Sequence, residues 1–519
     1  MAQKLVWVLL LSGFGGRACA QHEADTWYFG DRAGFSFRAG LPQVLLDGQT
    51  TTYTSAAVVS DRTTGQLLLY SDGARVWGRD HRVLPNGDGL WGSSFPAALP
   101  PPASYATQSA LLVPVPGDTA GYYLFTLRAG TKVAAPPMPA RTYASSLAYS
   151  LVDLRRNNGL GDVVPTTKNR RLATGLSEKL TAVRHANGRD YWVVCHEWLS
   201  NAFVVYPVTV AGVGPPARYA LGPSQPTDTT HTGFQEQATG TLQASPDGRK
   251  LACGTLTTSD SNPPSFGLYD FDPATGAVAH YVNLGTLRDA YSPCFSPDNS
   301  KLYVPNFGRT PDGRNYNCIS QFDLRAGDDA AVAASGQSIV VNNPATNVSA
   351  TQMSQVVYQF QNGPDGRIYG ASGYRSGGPN EQSGDAGNVF FVIGRPNARG
   401  FACEVRAQRF DFGGRFAPPA LPNFMQHFFN GLEPRAGATC APAAATLYPN
   451  PTTATFRVQV PGDCPQPYQL TLYDALGRRL LVRPAAEARP VEVAGLAAGW
   501  YVVELRFAQQ VVIKKLVKL

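Results

Sequence analysis

Residues 244–253 read ASPDGRKLAC, and the same pattern returns at 295–304 as FSPDNSKLYV and at 362–371 as NGPDGRIYGA. In each stretch, Asp-Gly or its equivalent precedes an apolar, strand-like run. Asn-Gly and Asp-Gly favour two-residue hairpin turns of type I′, because both central residues of that turn need a positive φ. Each stretch therefore predicts a β-hairpin with a type I′ turn.

The hairpin recurs along most of the chain. Its turns lie at Thr64-Gly65, Ala120-Gly121, Asn187-Gly188, Asp247-Gly248, Asn299-Ser300 and Asp365-Gly366. A third strand follows in most repeats, as in the runs that begin at Gly267, Ile319 and Val389. A period of about 50 to 70 residues with three or four strands per unit is typical of β-propeller blades.

These repeats predict an all-β fold, with a β-propeller of about seven blades over residues 21–434. Six blades are visible in the sequence, and we expect the two ends of the propeller to close the seventh. The closing pair would join a strand near Trp27–Phe37 to one near Phe424–Phe429. Closure protects the sheet edges that an open ring would expose.

The triplets Ser245-Pro246-Asp247, Ser296-Pro297-Asp298 and Gly363-Pro364-Asp365 resemble the turns of TolB-type and related WD-like propeller repeats. Aspartate in such a position accepts hydrogen bonds from its own turn backbone. We therefore expect these aspartates to form turns rather than to act as acids or bases.

The first twenty residues predict a secretion signal that is cleaved between Ala20 and Gln21. Lys4 is followed by an apolar run, and the small residues Ala18-Cys19-Ala20 precede Gln21. A membrane anchor is one alternative, but it needs about 20 apolar residues. A lipoprotein modified at Cys19 is the other. We expect no transmembrane segment after cleavage.

Export permits disulfides, but the cysteine spacings match no zinc or redox motif. Removal of Cys19 leaves an odd number of cysteines, so at least one is unpaired or pairs between chains. We expect Cys195, Cys253 and Cys294 to be buried thiols, because they lie inside apolar runs. One bridge could form among Cys403, Cys440 and Cys464, near the end of the propeller.

The formal net charge of +7 comes from scattered Lys and Arg, without a basic run interleaved with aromatic residues, so we expect no nucleic-acid partner. Histidines show no metal-ligand spacing, and neither a Gly-x-Ser-x-Gly turn nor a phosphate-binding glycine loop occurs. The sequence thus predicts no metal, no cofactor and no catalytic residue.

Propellers bind ligands at the mouth of the central channel, where loops present polar and aromatic side chains. The candidate binding residues are Gln108, Glu178, Lys179, His196, Glu197 and Trp198, which flank strand-like runs. The favoured function is a non-enzymatic propeller that binds an unidentified extracellular glycan, peptide or protein.

Two other functions stay open. A polysaccharide hydrolase or lyase needs two carboxyl groups about 5–10 Å apart, which Glu178, Glu197 and Glu236 could supply from separate blades. A structural component of an adhesin or surface layer would instead present a large exposed apolar patch.

The propeller region resembles a group of large secreted proteins of Bacteroidetes that accompany adhesion and gliding modules. The matching pieces are Trp27-Tyr28-Phe29-Gly30 with Ala33-Gly34 and Phe37, Ser71-Asp72-Gly73 with Val76-Trp77, Leu84-Pro85-Asn86-Gly87, Glu178–Val183 and His196-Glu197-Trp198. The resemblance implies fold and location but little chemistry. Larger members continue into further immunoglobulin-like repeats, which this chain lacks.

After an Ala/Pro-rich linker at 435–445, alternating apolar residues predict a small Ig-like β-sandwich at 446–519. This unit resembles the type A sorting domain of the type IX secretion system. The matching residues are Tyr448, Pro449, Asn450, Pro451, Asp474, Gly477, Arg478, Gly499 and Tyr501, with Lys514 and Lys515 in the basic, apolar tail. Trp500 is bulkier than the residue usual at its position, and an ordinary Ig-like binding module is the alternative.

The resemblance implies that the C-terminal domain is an address. Its partners would be the type IX translocon and a sorting peptidase that removes the domain. The protein would then pass through the periplasm and be secreted or attached to the outer-membrane cell surface.

Overall fold

The computed structural model describes residues 21–92, 106–130, 144–224, 238–255, 265–309, 315–340, 356–373, 388–415, 420–434, 445–459, 468–485, 490–507 and 511–519. The signal segment, most of the linker, Glu236, Cys440 and Cys464 lie outside these residues. Helices are confined to α1 (Arg156–Gly159), α2 (Asp329–Ala334) and 3-10 turns at Pro165–Thr167, Gly400–Cys403 and Gln426–Phe429 within the same residues. No helix there is long and apolar enough to cross a membrane.

The first two blades are three-stranded antiparallel sheets. Blade one consists of β1 (Thr26–Phe29), β2 (Ala33–Ser36) and β3 (Gln43–Leu45). Blade two consists of β4 (Ala57–Ser60), β5 (Leu67–Ser71) and β6 (Val76–Gly78). Tyr28 of blade one packs against Tyr70 of blade two, with ring centroids 4.6 Å apart.

Blades three and four share one strand and so form a continuous nine-stranded sheet. Its strands are β7 (Ala110–Pro114), β8 (Gly121–Arg128), β9 (Ser145–Asp153), β10 (Asp162–Val163), β11 (Arg170–Arg184), β12 (Tyr191–Glu197), β13 (Ala202–Thr209), β14 (Gly212–Val213) and β15 (Ala217–Ala220). Residues before Leu176 in β11 pair with β9, and those after it pair with β12. Thus β11 is the outer strand of blade three and the inner strand of blade four.

Blades five, six and seven are regular four-stranded antiparallel sheets. Their strands are β16 (Leu242–Ala244), β17 (Lys250–Cys253), β18 (Ser265–Phe271), β19 (Val278–Thr286), β20 (Cys294–Phe295), β21 (Lys301–Arg309), β22 (Asn315–Asp323), β23 (Gln337–Val340), β24 (Val356–Asn362), β25 (Ile368–Gly373), β26 (Val389–Ile393) and β27 (Val405–Arg409). The described chain therefore forms seven propeller units, which confirms the predicted all-β propeller.

The hairpin turns are where the sequence predicts them, but their type I′ assignment is wrong. In blade five, Gly248 N donates to Ser245 O over 2.8 Å, and Gly248 has φ +73° while Asp247 has no positive φ. Pro246 explains the difference, because its ring fixes φ near −65° at the first central position. The aspartate forms the turn, as predicted, since its carboxylate accepts from Arg249 N over 3.1 Å.

The predicted strand pairing between the two ends of the propeller is also wrong. Blade one is a sheet by itself, and residues 426–429 form a 3-10 turn. The ends meet through side chains instead: the rings of Trp27 and Phe424 lie 5.9 Å apart, and Trp27 also contacts Tyr369 of blade seven at 5.8 Å. Aromatic packing thus joins blade one to blade seven and closes the ring.

The C-terminal domain consists of two sheets around its own hydrophobic core. One contains β28 (Thr446–Tyr448), β29 (Thr455–Gln459) and β32 (Val491–Glu492), and the other contains β30 (Tyr468–Tyr473), β31 (Arg479–Ala485), β33 (Gly499–Arg506) and β34 (Val511–Lys518). Fully buried residues such as Phe456, Leu470 and Val503 fill the space between the sheets. This arrangement confirms the small Ig-like sandwich.

Cys195, Cys253, Cys294 and Cys403 form no disulfide. Cys195 and Cys294 are buried in β12 and β20, and burial raises the pKa of both thiols. Cys253 is half-buried, and burial also raises its thiol pKa. Cys403 is free as well, so it does not take part in the bridge that the sequence allowed.

Candidate functional site

The carboxylate of Glu178 lies inside the ring, where it is bound by Thr107. Its Oε2 atom accepts from Thr107 N over 2.9 Å and from Thr107 Oγ1 over 2.8 Å, and Glu178 is only 2% exposed. Thr107 precedes blade three and Glu178 lies in β11, so these bonds join blade three to blade four.

The side-chain amide of Gln108 connects the start of blade three to Leu180, Leu242 and Asn423. Its Oε1 atom accepts from Leu180 N over 2.9 Å and from Leu242 N over 2.8 Å. Its Nε2 atom donates to Leu242 O and to Asn423 Oδ1, both over 3.2 Å. The amide therefore bonds to backbone groups of two inner strands, β11 of blade four and β16 of blade five.

Lys179 is fully buried at the junction of blades four and five. Its ammonium group donates to Ala238 O and Thr239 O, both over 3.1 Å. Burial lowers the pKa of this lysine, because the charged form loses its hydration. The two carbonyl groups that precede β16 take the place of that water.

His196, Glu197 and Trp198 follow one another at the end of β12. Buried His196 bonds through Nδ1 to Glu197 O over 2.8 Å, and burial lowers the imidazole pKa to about 4, with a smaller contribution from the Lys179 charge. Glu197 forms a two-point ion pair with Arg218 over 2.9 and 2.8 Å. Trp198 is 7% exposed and packs against Ala238.

All six predicted binding residues thus lie in blades three and four or at their margins, and Gln108, Glu178 and Lys179 come together inside the ring. Both described candidate acids have partners: Glu178 is bound by Thr107, and Glu197 by Arg218. The third, Glu236, lies outside the described residues. No group of three or more metal-ligating side chains able to hold an ion occurs in the part of the chain that the structure describes.

Residues 420–434, here called the axial segment, were not predicted to lie within the ring. Asn423 N donates to Ala56 O over 2.7 Å, and Asn423 Nδ2 donates to Ala110 O over 3.2 Å and to Leu180 O over 3.0 Å. These acceptors lie at the inner strands of blades two, three and four. Because such strands surround the propeller axis, Asn423 lies inside the ring.

The axial segment continues past the inner strands of blades six and seven. Gln426 accepts from Asn362 Nδ2 over 3.2 Å, and the same Asn362 group donates to Phe295 O over 3.1 Å. Farther along, Gly431 N donates to Pro297 O over 2.8 Å. The segment therefore occupies the channel from the level of Ala56 to the hairpin turn of blade six.

His427 lies in the same segment with its Nδ1 atom buried. Among the described residues, this atom has no hydrogen-bond partner. Burial, with smaller contributions from the charges of Arg184 and Arg62, lowers the imidazole pKa to about 3. His427 is therefore neutral at physiological pH and packs near Tyr191, with ring centroids 6.2 Å apart.

In the C-terminal domain, the predicted sorting residues cluster at three places. Asn450 Nδ2 donates to Lys515 O over 2.7 Å and its Oδ1 accepts from Val517 N over 2.8 Å, which joins the opening motif to the tail. Asp474 forms a turn with Arg478, bonded to Nε over 2.7 Å. The remaining predicted sorting residues are Tyr448, Pro449 and Pro451 near Asn450, Gly477 in the Asp474 turn, Gly499 and Tyr501 in β33, and Lys514 in β34.

The comparisons with known proteins identify this domain. Residues 446–519 match the family described as a secretion system C-terminal sorting domain. The chain carries a type IX sorting domain. The predicted export is confirmed by this match: a chain with such a domain passes through the periplasm to the cell surface or the medium. None of the curated proteins matches the chain.

Among solved structures, the chain is similar to a putative 6-phosphogluconolactonase from Bacteroides uniformis, with 11% identity and a TM-score of 0.40 over 75% of this chain and 98% of that one. It is also similar to a quinonprotein alcohol dehydrogenase-like protein from Bacteroides thetaiotaomicron, with 11% identity and a TM-score of 0.35 over 76% of this chain and 77% of that one. A third is the periplasmic gluconolactonase of Pseudomonas aeruginosa, with 16% identity and a TM-score of 0.24 over 65% and 96%.

Proposed function

We propose that this protein is an exported propeller that binds a glycan, peptide or protein partner and catalyses no reaction. The type IX sorting domain delivers it, and the propeller is the working part. The observation that carries the proposal is that both candidate acids in the described residues have partners. Glu178 accepts two hydrogen bonds inside the ring, and Glu197 is held by Arg218.

The axial segment supports the same function. Ligands of propellers commonly enter the central channel, but here Asn423 and Gln426 fill it with hydrogen bonds to the inner strands. A ligand would therefore contact the outside of the ring rather than the channel at that level. Such a surface suits a macromolecular partner better than a small substrate, which needs a concave site.

The test combines turnover and binding on the full chain. The purified protein is incubated with a panel of acidic and neutral polysaccharides, released reducing ends are measured, and binding to the same panel is recorded. We expect binding to at least one partner class and no release of products. Glu178→Gln and Glu197→Gln are compared with Glu404→Gln, whose carboxylate also pairs with an exposed arginine.

Turnover by the wild-type protein that is lost in Glu178→Gln or Glu197→Gln, but kept in Glu404→Gln, would establish a hydrolase or lyase and refute the proposal. Self-assembly into sheets without any bound partner would favour the surface-layer function instead.

A further inference from the structure

Trp91 is fixed at one end of blade three, outside the channel. Its indole Nε1 donates to Ser146 Oγ over 2.9 Å. Ser146 lies in β9, opposite Arg128 of β8, while Arg171 of β11 pairs with Ala148, two residues further along β9. Three adjacent strands therefore position the indole and the two arginines relative to one another.

Both guanidinium groups lie against the indole. The central carbon of Arg171 is 4.1 Å from the ring centroid, and that of Arg128 is 5.1 Å from it. The two cations are thus no farther apart than the sum of these distances. The electron-rich face of Trp attracts cations by about 0.5–1 kcal/mol at an exposed site, which offsets part of their mutual repulsion.

Neither guanidinium has an acidic partner among the described residues. Some other exposed arginines of the propeller do have one: Arg155 pairs with Asp153 and Arg218 pairs with Glu197. Both Arg128 and Arg171 are exposed, so their donors face solvent. Two planar donor groups held by one indole, with no acidic partner in the described part of the chain, match the oxygen atoms of a carboxylate or sulfate.

Because both arginines are exposed to solvent, the cluster suits a charged polymer better than a small anion. Each exposed charge pair contributes only about 0–1 kcal/mol, so one carboxylate would bind weakly. A chain with repeated charges rebinds at high effective concentration after each dissociation. Carboxylates and sulfates fixed on a sugar ring also lose less conformational entropy on binding than the flexible side chains of an acidic peptide.

We propose that Trp91, Arg128 and Arg171 form a binding site for an acidic polysaccharide that carries uronate or sulfate groups. The proposal rests on the binding function proposed above and names its partner class. The arginines bind the oxyanions, and the indole holds both guanidinium groups in place.

The experiment measures dissociation constants of the full chain for alginate and chondroitin sulfate, with dextran as the uncharged polymer and poly-L-glutamate as the acidic peptide. The test variant is Arg128→Ala/Arg171→Ala. The matched control is Arg170→Ala, because Arg170 is also exposed and adjacent in β11 but makes no cation–π contact with Trp91 among the described residues. Thermal unfolding confirms that the exposed substitutions leave the fold intact.

We expect alginate or chondroitin sulfate to bind and dextran not to bind. The double variant should weaken binding at least about tenfold, a loss of about 1.4 kcal/mol, while Arg170→Ala changes it less than about twofold. Equal losses in the two variants would mean general charge attraction and would overturn the proposal. Equal affinity for poly-L-glutamate would also overturn it.

The two proposals fail in different ways. If the wild-type protein binds an acidic polysaccharide and the double variant binds it equally well, the site is wrong and the binding function stands. If the wild-type protein binds none of the acidic polymers, the site proposal is overturned, and the binding function is judged on other partners. If the protein degrades the polysaccharide, the proposed function itself fails.

Discussion

Gln108 Nε2 donates a hydrogen bond to Asn423 Oδ1 over 3.2 Å, which joins a residue just before blade three to one that follows blade seven. Asn423 also donates to carbonyl groups at the inner strands of blades three and four. The end of the propeller is therefore bonded to its early blades across the axis. This polar contact complements the aromatic packing of Trp27 on Phe424 in closing the ring.

Asn423→Ala should lower the free energy of unfolding by about 2–4 kcal/mol, because it removes one acceptor from the buried Gln108 amide and the side-chain donor from two carbonyl groups. Urea unfolding of the full chain measures this loss. Asn430→Ala is the matched control, since exposed Asn430 accepts one bond from Asn299 at the surface. A loss in the control as large as in Asn423→Ala would contradict the axial role.

Gly248→Ala should destabilise the propeller more than Gly188→Ala. Both glycines have φ +73° in the same kind of hairpin turn, so backbone strain is the same. A Cβ at Gly248 would lie 2.7 Å from Val183 Cγ1 of the neighbouring blade, whereas at Gly188 the nearest atom is 3.6 Å away on a flexible arginine. We expect a difference of about 1–3 kcal/mol, read from urea midpoints. Equal effects would show that blades four and five do not pack closely at this point.

Acid should destabilise the protein through its buried histidines. The pKa values of His196 and His427 are lowered to about 4 and about 3, below the ordinary value of about 6.5. Their contribution is therefore complete above about pH 6.5 and is lost as the pH falls toward the lowered values. Between pH 7 and pH 4.5, the wild-type protein should lose about 2–3 kcal/mol more than His196→Gln.

His280 provides a control of opposite sign. It is bonded to Asp270 and Asp329, and these carboxylates raise its pKa. Its contribution is complete below the ordinary histidine value and is lost as the pH rises through the raised one. His280→Gln should therefore cost stability at pH 5 and little at pH 9. The same pH trend for His196→Gln and His280→Gln would refute the assignment of a neutral, buried His196.

Asn450→Ala should impair delivery of the protein without unfolding the propeller. The Asn450 side chain bonds to the backbone of Lys515 and Val517 and so holds the tail strand against the opening motif. Loss of these bonds should leave more protein in the periplasm, measured by cell fractionation and immunoblotting. Arg506→Ala, which removes an exposed ion pair with Glu504 in the same domain, should leave delivery unchanged. Normal delivery of Asn450→Ala would show that this contact is dispensable.

The strands and hairpins could be predicted because their causes are local. Turn residues such as Asp365-Gly366 and the apolar run after them are adjacent in sequence, and the structure has a hairpin there. The turn type was missed because Pro364 and its equivalents occupy the first central position, which moves the Asp-Gly pair one place along the turn.

The interior of the ring could be predicted only in part. Gln108, Glu178 and Lys179 were predicted to bind a ligand, and the sequence does not reveal that Thr107, Leu242 and Ala238 would bond to them inside the ring. These partners come from separate blades. The sequence predicted a strand near Phe424–Phe429 instead of the axial segment, because many of the hydrogen bonds of that segment come from the Asn423 and Gln426 side chains, which no strand pattern reveals.

The central claim is that the C-terminal domain is an address and the propeller is the working part. Intact-mass measurement of the protein from the native cell surface and medium, with and without the type IX translocon, tests it most directly. We expect a mass that lacks residues before Gln21 and those after about residue 440, and no such product without the translocon. A C-terminal domain that remains intact in both fractions would contradict the claim and indicate a permanent binding module.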